Sequence, residues 1–337
     1  MEKIKVVIIG YGNIGKGCEL ALPQNEDLEL IGILTRRKPE KIETQLSENQ
    51  DKVFNVSEIG KIKDDVDVAL LCGGSAKDLP IQGPKYARFF NTVDSYDNHG
   101  KILQYKKDMD VVARNSNNTS IISVGWDPGV FSVERLLAQT FIKGCQVRGF
   151  YGLGEKGGLS MGHSDALRRI EGVEDARQYT HAKHEAIERM RSGENPDLSQ
   201  QEMHWRECFV VLEPGADRKK IEKETKTMEG YFKPYDVKIV FTTQKGLNKV
   251  ASDRGQCHDG LVIASGKTAS GHNSLIEYRC SWDSNPEATA NIMIAYARAC
   301  YWINNELALP GALTPIDVPP AYLSELNFQE MLKKHLI

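Results

Sequence analysis

The chain of 337 residues lacks any apolar run of the roughly 20 residues that a membrane-spanning helix needs. Its seven cysteines form no C-x-x-C pair and are odd in number, which argues against a disulfide framework and favours a reducing compartment. A strand-like segment begins near Ile4, so we expect no signal peptide. The net charge of −3 does not indicate a nucleic-acid surface. We predict a cytoplasmic protein that acts on small molecules, without a nucleic-acid or membrane partner.

Several catalytic motifs are also missing. His181 and His184 lie three residues apart, but no H-E-x-x-H occurs and no third ligand has a defined spacing, so we predict no metal site. No G-x-S-x-G nucleophile elbow is found, and no lysine is marked as a Schiff-base former. These absences are compatible with an enzyme whose reactive chemistry comes from a bound cofactor, because such an enzyme needs no covalent catalyst of its own.

A glycine-rich turn near the start of the chain predicts which cofactor class this is. Lys5–Ile9 is a β-branched apolar run typical of a buried parallel strand, and the segment from Lys16 to Leu22 is suited to a helix. Between them lies G-x-G-x-x-G, in the strand–turn–helix context that binds the pyrophosphate of a dinucleotide. The predicted contacts are Gly10, Tyr11, Gly12, Asn13, Ile14 and Gly15.

The end of the next strand indicates which dinucleotide is bound. Leu28–Leu34 is followed by Thr35, Arg36 and Arg37, where an NAD site usually has an acidic residue. A hydroxyl and two guanidinium groups would bind a 2′-phosphate, and one such bond is worth about 1.5–3 kcal/mol. A solvated basic loop is the alternative, because Lys38 and Lys41 follow. The sequence therefore predicts NADP as cofactor.

Alternating strands and helices up to residue 125 predict a doubly wound, Rossmann-type parallel sheet. Strands are expected at 66–72, 91–94 and 119–124, helices at 81–90 and 100–115, and a loop at 53–56. We assign residues 1–125 and about 284–315 to a dinucleotide-binding domain, which includes a long helix at 287–304. Residues 316–337 are assigned to a tail that packs on the domains.

Residues 126–283 predict an α+β substrate-binding and dimerisation domain. We expect one mixed sheet with helices on one face, in which segments 208–212 and 237–243 alternate like antiparallel strands around a helix at 217–228. Further strands are predicted at 145–153, 261–265 and 274–282, and helices at 130–141 and 182–191. The apolar alternating strands after residue 205 need cover on their outer face, which favours a homodimer.

Polar and small residues follow three strands of the first domain. Ligands of such sheets bind beyond the carboxyl ends of the strands, so these residues are predicted to bind the cofactor. They are Cys72, Gly73, Gly74, Ser75, Ser95, Tyr96, Asp97, Val124, Gly125, Trp126, Asp127 and Pro128. Asp97 and Asp127 stand at the same topological place, and two carboxylates there favour a cationic substrate. Turn formation with Asn98 or Pro128 is the alternative for these two.

The sequence resembles the meso-diaminopimelate D-dehydrogenase family over nearly its whole length. The segments that carry the resemblance are Ile9–Gly15, Thr35–Arg37, Leu71–Ala76, Thr92–His99, Val124–Gly129, Ser160–Arg169, His204–Phe209 and Cys257–His258. The resemblance implies NADP-dependent oxidative deamination of the D-centre of meso-2,6-diaminopimelate. The products are L-2-amino-6-oxopimelate, which cyclises to tetrahydrodipicolinate, ammonia and NADPH, and the reverse reaction serves lysine biosynthesis.

The resemblance also implies residue roles. Asp97 and Asp127 would meet the reacting centre and are candidates for moving protons. Thr180, Arg206 and His258 would hold the distal L-centre, and Asn285 would lie against the substrate. Tyr151, Met161 and Gly162 complete the implied substrate set.

Two departures from the family pattern are visible. The loop 152–158 is longer than the family pattern, and Tyr151 stands where a tryptophan is common. Met161 replaces a common glutamine, which leads to the hypothesis that the substrate range extends to simple 2-keto acids.

Two other functions remain open at this point. One is another NADP-dependent amino-acid or semialdehyde reductase of the same architecture, although its usual catalytic lysine or cysteine motif is missing. The other is a non-catalytic NADP-sensing module, which would have no need of a site for a zwitterion.

Overall fold

In the computed structural model, which describes residues 2–255 and 258–337, the chain divides into two units. Unit 1 runs to Val133 and resumes with Pro286–Ile337, and unit 2 is Glu134–Asn285. The strands are β1 (Ile4–Ile9), β2 (Leu28–Thr35), β3 (Val53–Asn55), β4 (Val68–Leu71), β5 (Asn91–Asp94), β6 (Thr119–Ile121), β7 (Gln146–Tyr151), β8 (Gly158–Leu159), β9 (Val173–Ala182), β10 (His204–Leu212), β11 (Asp236–Thr242), β12 (His258–Lys267), β13 (Asn273–Trp282) and β14 (Gly311–Leu313). The α-helices are α1 (Asn13–Ala21), α2 (Leu79–Tyr86), α3 (Ile102–Asn115), α4 (Phe131–Phe141), α5 (Met161–Arg168), α6 (His184–Arg191), α7 (Gln200–Met203), α8 (Arg218–Thr227), α9 (Gln244–Arg254), α10 (Asn285–Leu307) and α11 (Phe328–His335).

Unit 1 is built on a parallel sheet with the order β14-β6-β5-β4-β1-β2-β3. Both faces are buried, because α1 and α10 cover one face and α2 and α3 cover the other. The strand order reverses between β1 and β4, and ligands of doubly wound sheets bind at such a switch point. The predicted fold class is confirmed.

One element of unit 1 was predicted wrongly. The segment expected to be a loop at 53–56 contains β3, which pairs with the end of β2 at the edge of the sheet. Three residues are too few to show a periodic pattern, so only the pairing reveals this strand. None of the helices in the described part of the chain is long and apolar enough to cross a membrane.

Unit 2 contains two sheets rather than the single mixed sheet that was expected. A four-stranded mixed sheet has the order β11-β10-β9-β8, and a three-stranded antiparallel sheet has the order β13-β12-β7. Helices pack on both faces of the mixed sheet, since α5 and α8 contribute to one core and α9 to another. The prediction of helices on one face is therefore wrong.

The pairing of β10 with β11 was also predicted wrongly. The two strands are parallel, with Trp205 opposite Asp236 and Val211 opposite Thr242. Helix α8 connects them as a crossover, which returns the chain to the end where β10 began and makes the next strand parallel. Strand β9 was missed because Glu174, Asp175, Arg177 and Gln178 give it a polar sequence.

Candidate functional site

A cavity of about 340 Å³ lies beyond the carboxyl ends of β1, β2 and β4 in unit 1. Residues predicted to bind the cofactor line it: Gly10, Tyr11, Gly12, Thr35, Arg36, Arg37, Cys72, Gly73 and Gly74. Parallel strands end at one edge of a sheet, so segments far apart in sequence converge there. Asp78 and Gln82 of the α2 region, together with Val56, line the same cavity and were not predicted.

The three motif glycines meet different surroundings. Gly10 has φ of +98°, a conformation that L side chains rarely adopt. A Cβ on Gly15 would lie 2.2 Å from the Gly10 carbonyl oxygen, so the helix can approach the turn only without a side chain there. A Cβ on Gly12 would meet nothing within 4 Å. The space above Gly12, at the N-terminus of α1, therefore fits a pyrophosphate that approaches the backbone.

Asn13 and Ile14 begin α1 directly after this turn. The first amides of a helix have no intrahelical acceptor, which makes them donors for an anion. The Tyr11 hydroxyl donates to the buried Glu19 carboxylate and accepts from the Gln45 amide at 2.9 Å. Burial and the neighbouring Glu19 raise the pKa of Tyr11, so the phenol stays neutral. Tyr11 thus ties the glycine turn to the loop after β2.

Two arginines stand at the end of β2, each held by a different partner. The Arg37 guanidinium donates to the Tyr11 carbonyl oxygen at 2.5 Å, and its amide donates to the Thr35 hydroxyl at 3.1 Å. Arg36 is 67% exposed and pairs with Asp78 at 2.9 Å, while Asp78 also accepts from the Gly74 amide at 3.0 Å. A cation at the cavity wall fits a 2′-phosphate.

The remaining predicted cofactor residues follow β5 and β6, which are neighbours in the sheet. Ser95, Tyr96 and Asp97 come after β5, and Val124, Gly125, Trp126, Asp127 and Pro128 come after β6. The Asp97 amide donates to the Ser75 hydroxyl at 2.7 Å, which links the β5 and β4 loops. Asp97 is exposed, whereas Asp127 is half-buried.

In unit 2 the notable group is Arg206, whose side chain is buried in the mixed sheet at 7% exposure. One guanidinium nitrogen donates to the Thr180 hydroxyl, and the group lies 4.0 Å over the ring of Tyr235. Its Nε is buried without a hydrogen-bond partner, and no carboxylate in the described part of the chain pairs with it. Desolvation lowers the pKa of Arg206. A buried cation without a counter-charge is costly, and a ligand carboxylate would supply that charge.

His204 lies between Tyr151, which it contacts, and the charge of Arg206, which acts on it. The Tyr151 amide donates to Nε2 of His204 at 3.0 Å, and the two rings stack at 5.6 Å. Burial and the Arg206 charge lower the pKa of His204 to about 3, and the same two causes lower the pKa of His163 to about 3. Both imidazoles are therefore neutral at pH 7, which leaves Nε2 of His204 able to accept.

We expect His204 to make unit 2 sensitive to acid. Its folded pKa of about 3 lies below the ordinary value of 6.5, so the unfolded chain binds the proton first and stability falls as pH drops below 6.5. In His204→Gln an amide oxygen replaces Nε2 as acceptor without titrating. Between pH 7 and 5 the free energy of unfolding, measured with urea, should then fall about 1–2 kcal/mol less in His204→Gln than in the parent protein. The exposed His184→Gln is the control, and an unchanged pH dependence in His204→Gln would contradict this assignment.

The other predicted substrate residues are spread over neighbouring elements of unit 2. His258 begins β12 opposite Trp282, and Gly260 of the same strand pairs with Tyr151. Asn285 follows shortly after β13. Met161 is 50% exposed, and a Cβ on Gly162 would meet open space. Cys257, part of the resemblance, lies outside the described residues.

Sequence reasoning assigned no role to several residues around these sites: Asp78, Asp94, Tyr235, and also His163 and His204, which it interpreted as core or surface histidines. Tyr235 has no motif, and only the β10–β11 pairing brings it over Arg206. Within residues 2–255 and 258–337, His, Cys, Asp and Glu side chains form no group of three that could hold a metal ion.

The fold and the cavity of unit 1 are those of a dinucleotide-dependent oxidoreductase. Comparison with known proteins gives the family. Residues 125–284 match the Diaminopimelic acid dehydrogenase C-terminal domain. Meso-diaminopimelate D-dehydrogenase of Acetivibrio thermocellus is 46% identical over 100% of this chain and 98% of its own. The chain belongs to the meso-diaminopimelate D-dehydrogenase family.

Solved structures agree with this family. A meso-DAP dehydrogenase variant from Clostridium tetani E88 with DAP has a TM-score of 0.91 and 43% identity, over 99% of this chain and 100% of that one. An engineered D-amino acid dehydrogenase bound to NADP⁺ has a TM-score of 0.85 and 38% identity, over 99% of both chains.

Proposed function

We propose that the protein catalyses the NADP-dependent oxidative deamination of the D-centre of meso-2,6-diaminopimelate, and the reverse reductive amination in lysine biosynthesis. The observation that carries this proposal is the buried Arg206, whose charge has no carboxylate partner in the described part of unit 2. A dicarboxylic amino acid supplies such a partner, and full-length family membership supports the same substrate.

We assign the cofactor to the cavity of unit 1. Gly10–Gly15 receive the pyrophosphate, because the Gly12 backbone is open to it and α1 begins there. Thr35, Arg36 and Arg37 receive the 2′-phosphate. The segments after β4, β5 and β6 complete the site towards the nicotinamide. When bound, NADP⁺ supplies the acceptor for the hydride that leaves the D-centre.

The chain's own residues bind the two ends of the substrate and manage protons. Asp97 and Asp127 are assigned to the D-centre, where their carboxylates attract its ammonium group and accept the proton released during oxidation. Arg206, Thr180 and His258 are assigned to the distal L-centre and its carboxylate. Asn285, Tyr151, Met161 and Gly162 complete the substrate-binding set without assignment to either end. Because the Arg206 guanidinium binds the carboxylate of the L-centre, only the D-centre is placed to react, which is selection by orientation.

Residues 1–125 and about 284–315 form the dinucleotide-binding domain in this proposal, and residues 126–283 form the domain for substrate and dimerisation. We further propose a cytoplasmic homodimer. Apolar side chains that stay exposed in unit 2, among them Phe141 and Leu275, support the homodimer because a partner subunit would cover them.

The experiment that tests the function is NADPH absorbance at alkaline pH with NADP⁺ and meso-diaminopimelate. Reduction is expected with this pair and not with L,L-diaminopimelate or with NAD⁺. Tight NADP⁺ binding without turnover would instead favour a semialdehyde reductase or a sensor. Amination of simple 2-keto acids by NADPH and ammonium tests the range that Met161 is expected to widen.

Arg36→Ala should weaken NADP⁺ binding about 10- to 100-fold while NAD⁺ binding changes less than about threefold. The loss has two causes, because the variant lacks a guanidinium and leaves the Asp78 carboxylate facing the phosphate without its ion-pair partner. Calorimetric titration with both dinucleotides measures the ratio. Arg88→Ala, at an exposed position outside the cavity lining, is the control. Equal losses for both dinucleotides would contradict the role of Arg36.

A further inference from the structure

Asp94, the last residue of β5, is a buried carboxylate that none of the roles above uses. It is 0% exposed and lies three residues before Asp97. Burying a carboxylate costs several kcal/mol unless hydrogen bonds compensate, so the partners of this group indicate what it is for.

One oxygen of Asp94 serves two loops. Its Oδ1 accepts from the Tyr96 amide at 3.0 Å and from the Ser123 amide at 3.1 Å. Tyr96 precedes Asp97, and Ser123 belongs to the segment that leads from β6 to Asp127. The Asp94 carbonyl oxygen also accepts from the Val124 amide at 2.7 Å. Asp94 therefore holds the backbone of both the loop after β5 and the loop after β6.

The other oxygen of Asp94 anchors the carboxylate to helix α3, which packs on one face of the sheet. Oδ2 accepts from the Tyr105 hydroxyl of α3 at 2.7 Å, and the Tyr105 ring stacks on Tyr96 at 4.1 Å. Ser123 has φ of +60°, a conformation that a serine adopts only where other contacts hold it. The bond from its amide to Asp94 is such a contact.

We propose that Asp94 is a positioning residue that sets the backbone of the two loops carrying Asp97 and Asp127. It does not touch the substrate in this proposal. Its part is to hold both loops in one register, because misplacing a reacting group by an ångström costs about 100-fold in rate. The proposal rests on the proposed function for its catalytic readout, but not for its structural one.

Burial raises the pKa of Asp94 to about 6, and the bonds from Tyr105, Tyr96 and Ser123 act in the opposite direction. The carboxylate is thus ionised at pH 7. Ionised, it can accept from all three donors at once.

The test compares Asp94→Ala with Thr92→Val. Thr92 lies in the same strand, is 1% exposed and donates to the Ser120 hydroxyl at 2.8 Å, so the control loses a buried hydrogen bond without a link to either loop. Asp94→Ala should lower kcat/KM for meso-diaminopimelate about 100-fold, with the Kd for NADP⁺ within about threefold. Hydrogen exchange should become at least about tenfold faster in the peptides that contain Tyr96 and Ser123.

Asp94→Asn keeps an oxygen for both amides and should rescue loop protection, with kcat/KM within about fivefold of the parent. If Asp94→Ala does not fold, Asp94→Ser serves instead, because its side chain is too short to reach both amides. Equal effects of Asp94→Ala and Thr92→Val on exchange and on kcat/KM would overturn the proposal. A parent protein without turnover would refute the proposed function alone, since the exchange experiment still tests Asp94.

Discussion

Arg206→Met is expected to weaken meso-diaminopimelate binding about 100-fold or more, while the Kd for NADP⁺ changes less than about threefold. The variant would lack both the positive charge of the guanidinium and its two parallel hydrogen bonds to the carboxylate. Truncating one partner of a buried charge pair costs about 2–5 kcal/mol. Steady-state KM and isothermal titration measure the loss. Arg206→Lys keeps the charge but lacks the bidentate hydrogen bonds and the stacking on Tyr235. Its affinity for meso-diaminopimelate should therefore lie between that of the parent and that of Arg206→Met.

Stability should move in the opposite direction from binding. Without a ligand, Arg206 is a buried cation without a carboxylate partner in the described chain, so Arg206→Met should unfold at no lower urea concentration than the parent. Arg254→Met is the matched control, because Arg254 pairs with the buried Glu207 at 2.8 Å. That variant should lose stability and keep its KM. An unchanged KM in Arg206→Met would mean that the carboxylate binds elsewhere.

Gly12→Ala and Gly15→Ala are expected to fail in different ways. A Cβ at position 12 meets open space, so the protein should fold normally but lose about 100-fold or more in NADP⁺ affinity, because the methyl group occupies the place of the pyrophosphate. A Cβ at position 15 lies 2.2 Å from the Gly10 carbonyl oxygen, so folding itself should lose more than about 3 kcal/mol.

NADPH fluorescence titration and urea unfolding separate the two effects. Gly60→Ala is the control, since its Cβ also meets nothing within 4 Å and the residue lies outside the cavity lining. Wild-type affinity in Gly12→Ala would show that the cofactor does not approach this backbone.

The sequence predicted the parts of unit 1 that depend on chain order. A strand followed by glycines predicts the turn, and the ends of parallel strands must meet at one edge, so Gly12, Arg36 and Gly74 were expected to converge. The sequence could not predict which side chains pair with one another. Asp78 pairs with Arg36 from the position just before α2, a helix whose predicted start was two residues late. Asp94 looked like an ordinary strand residue.

Unit 2 was less predictable for the same reason. Periodicity identifies an apolar segment but not its partner, so the β10–β11 pair was given the wrong direction and Tyr235 could not be placed over Arg206. The polar sequence of β9 hid the strand that carries Thr180. His204, which could be read as an ordinary core histidine, holds Tyr151 only because two sheets meet there.

The interruption of unit 1 has a consequence during synthesis of the chain. Helix α10 supplies Ala290, Met293 and Ala297 to the core beneath β1, and β14 closes the sheet beside β6. A ribosome adding about 5–20 residues per second would complete all of unit 2 before these residues emerge, an interval of about 8–30 s. During that time α1 alone covers one apolar face of the first six strands. Unit 2 is therefore the first to become a finished domain, and unit 1 is completed only when α10 and β14 have been made.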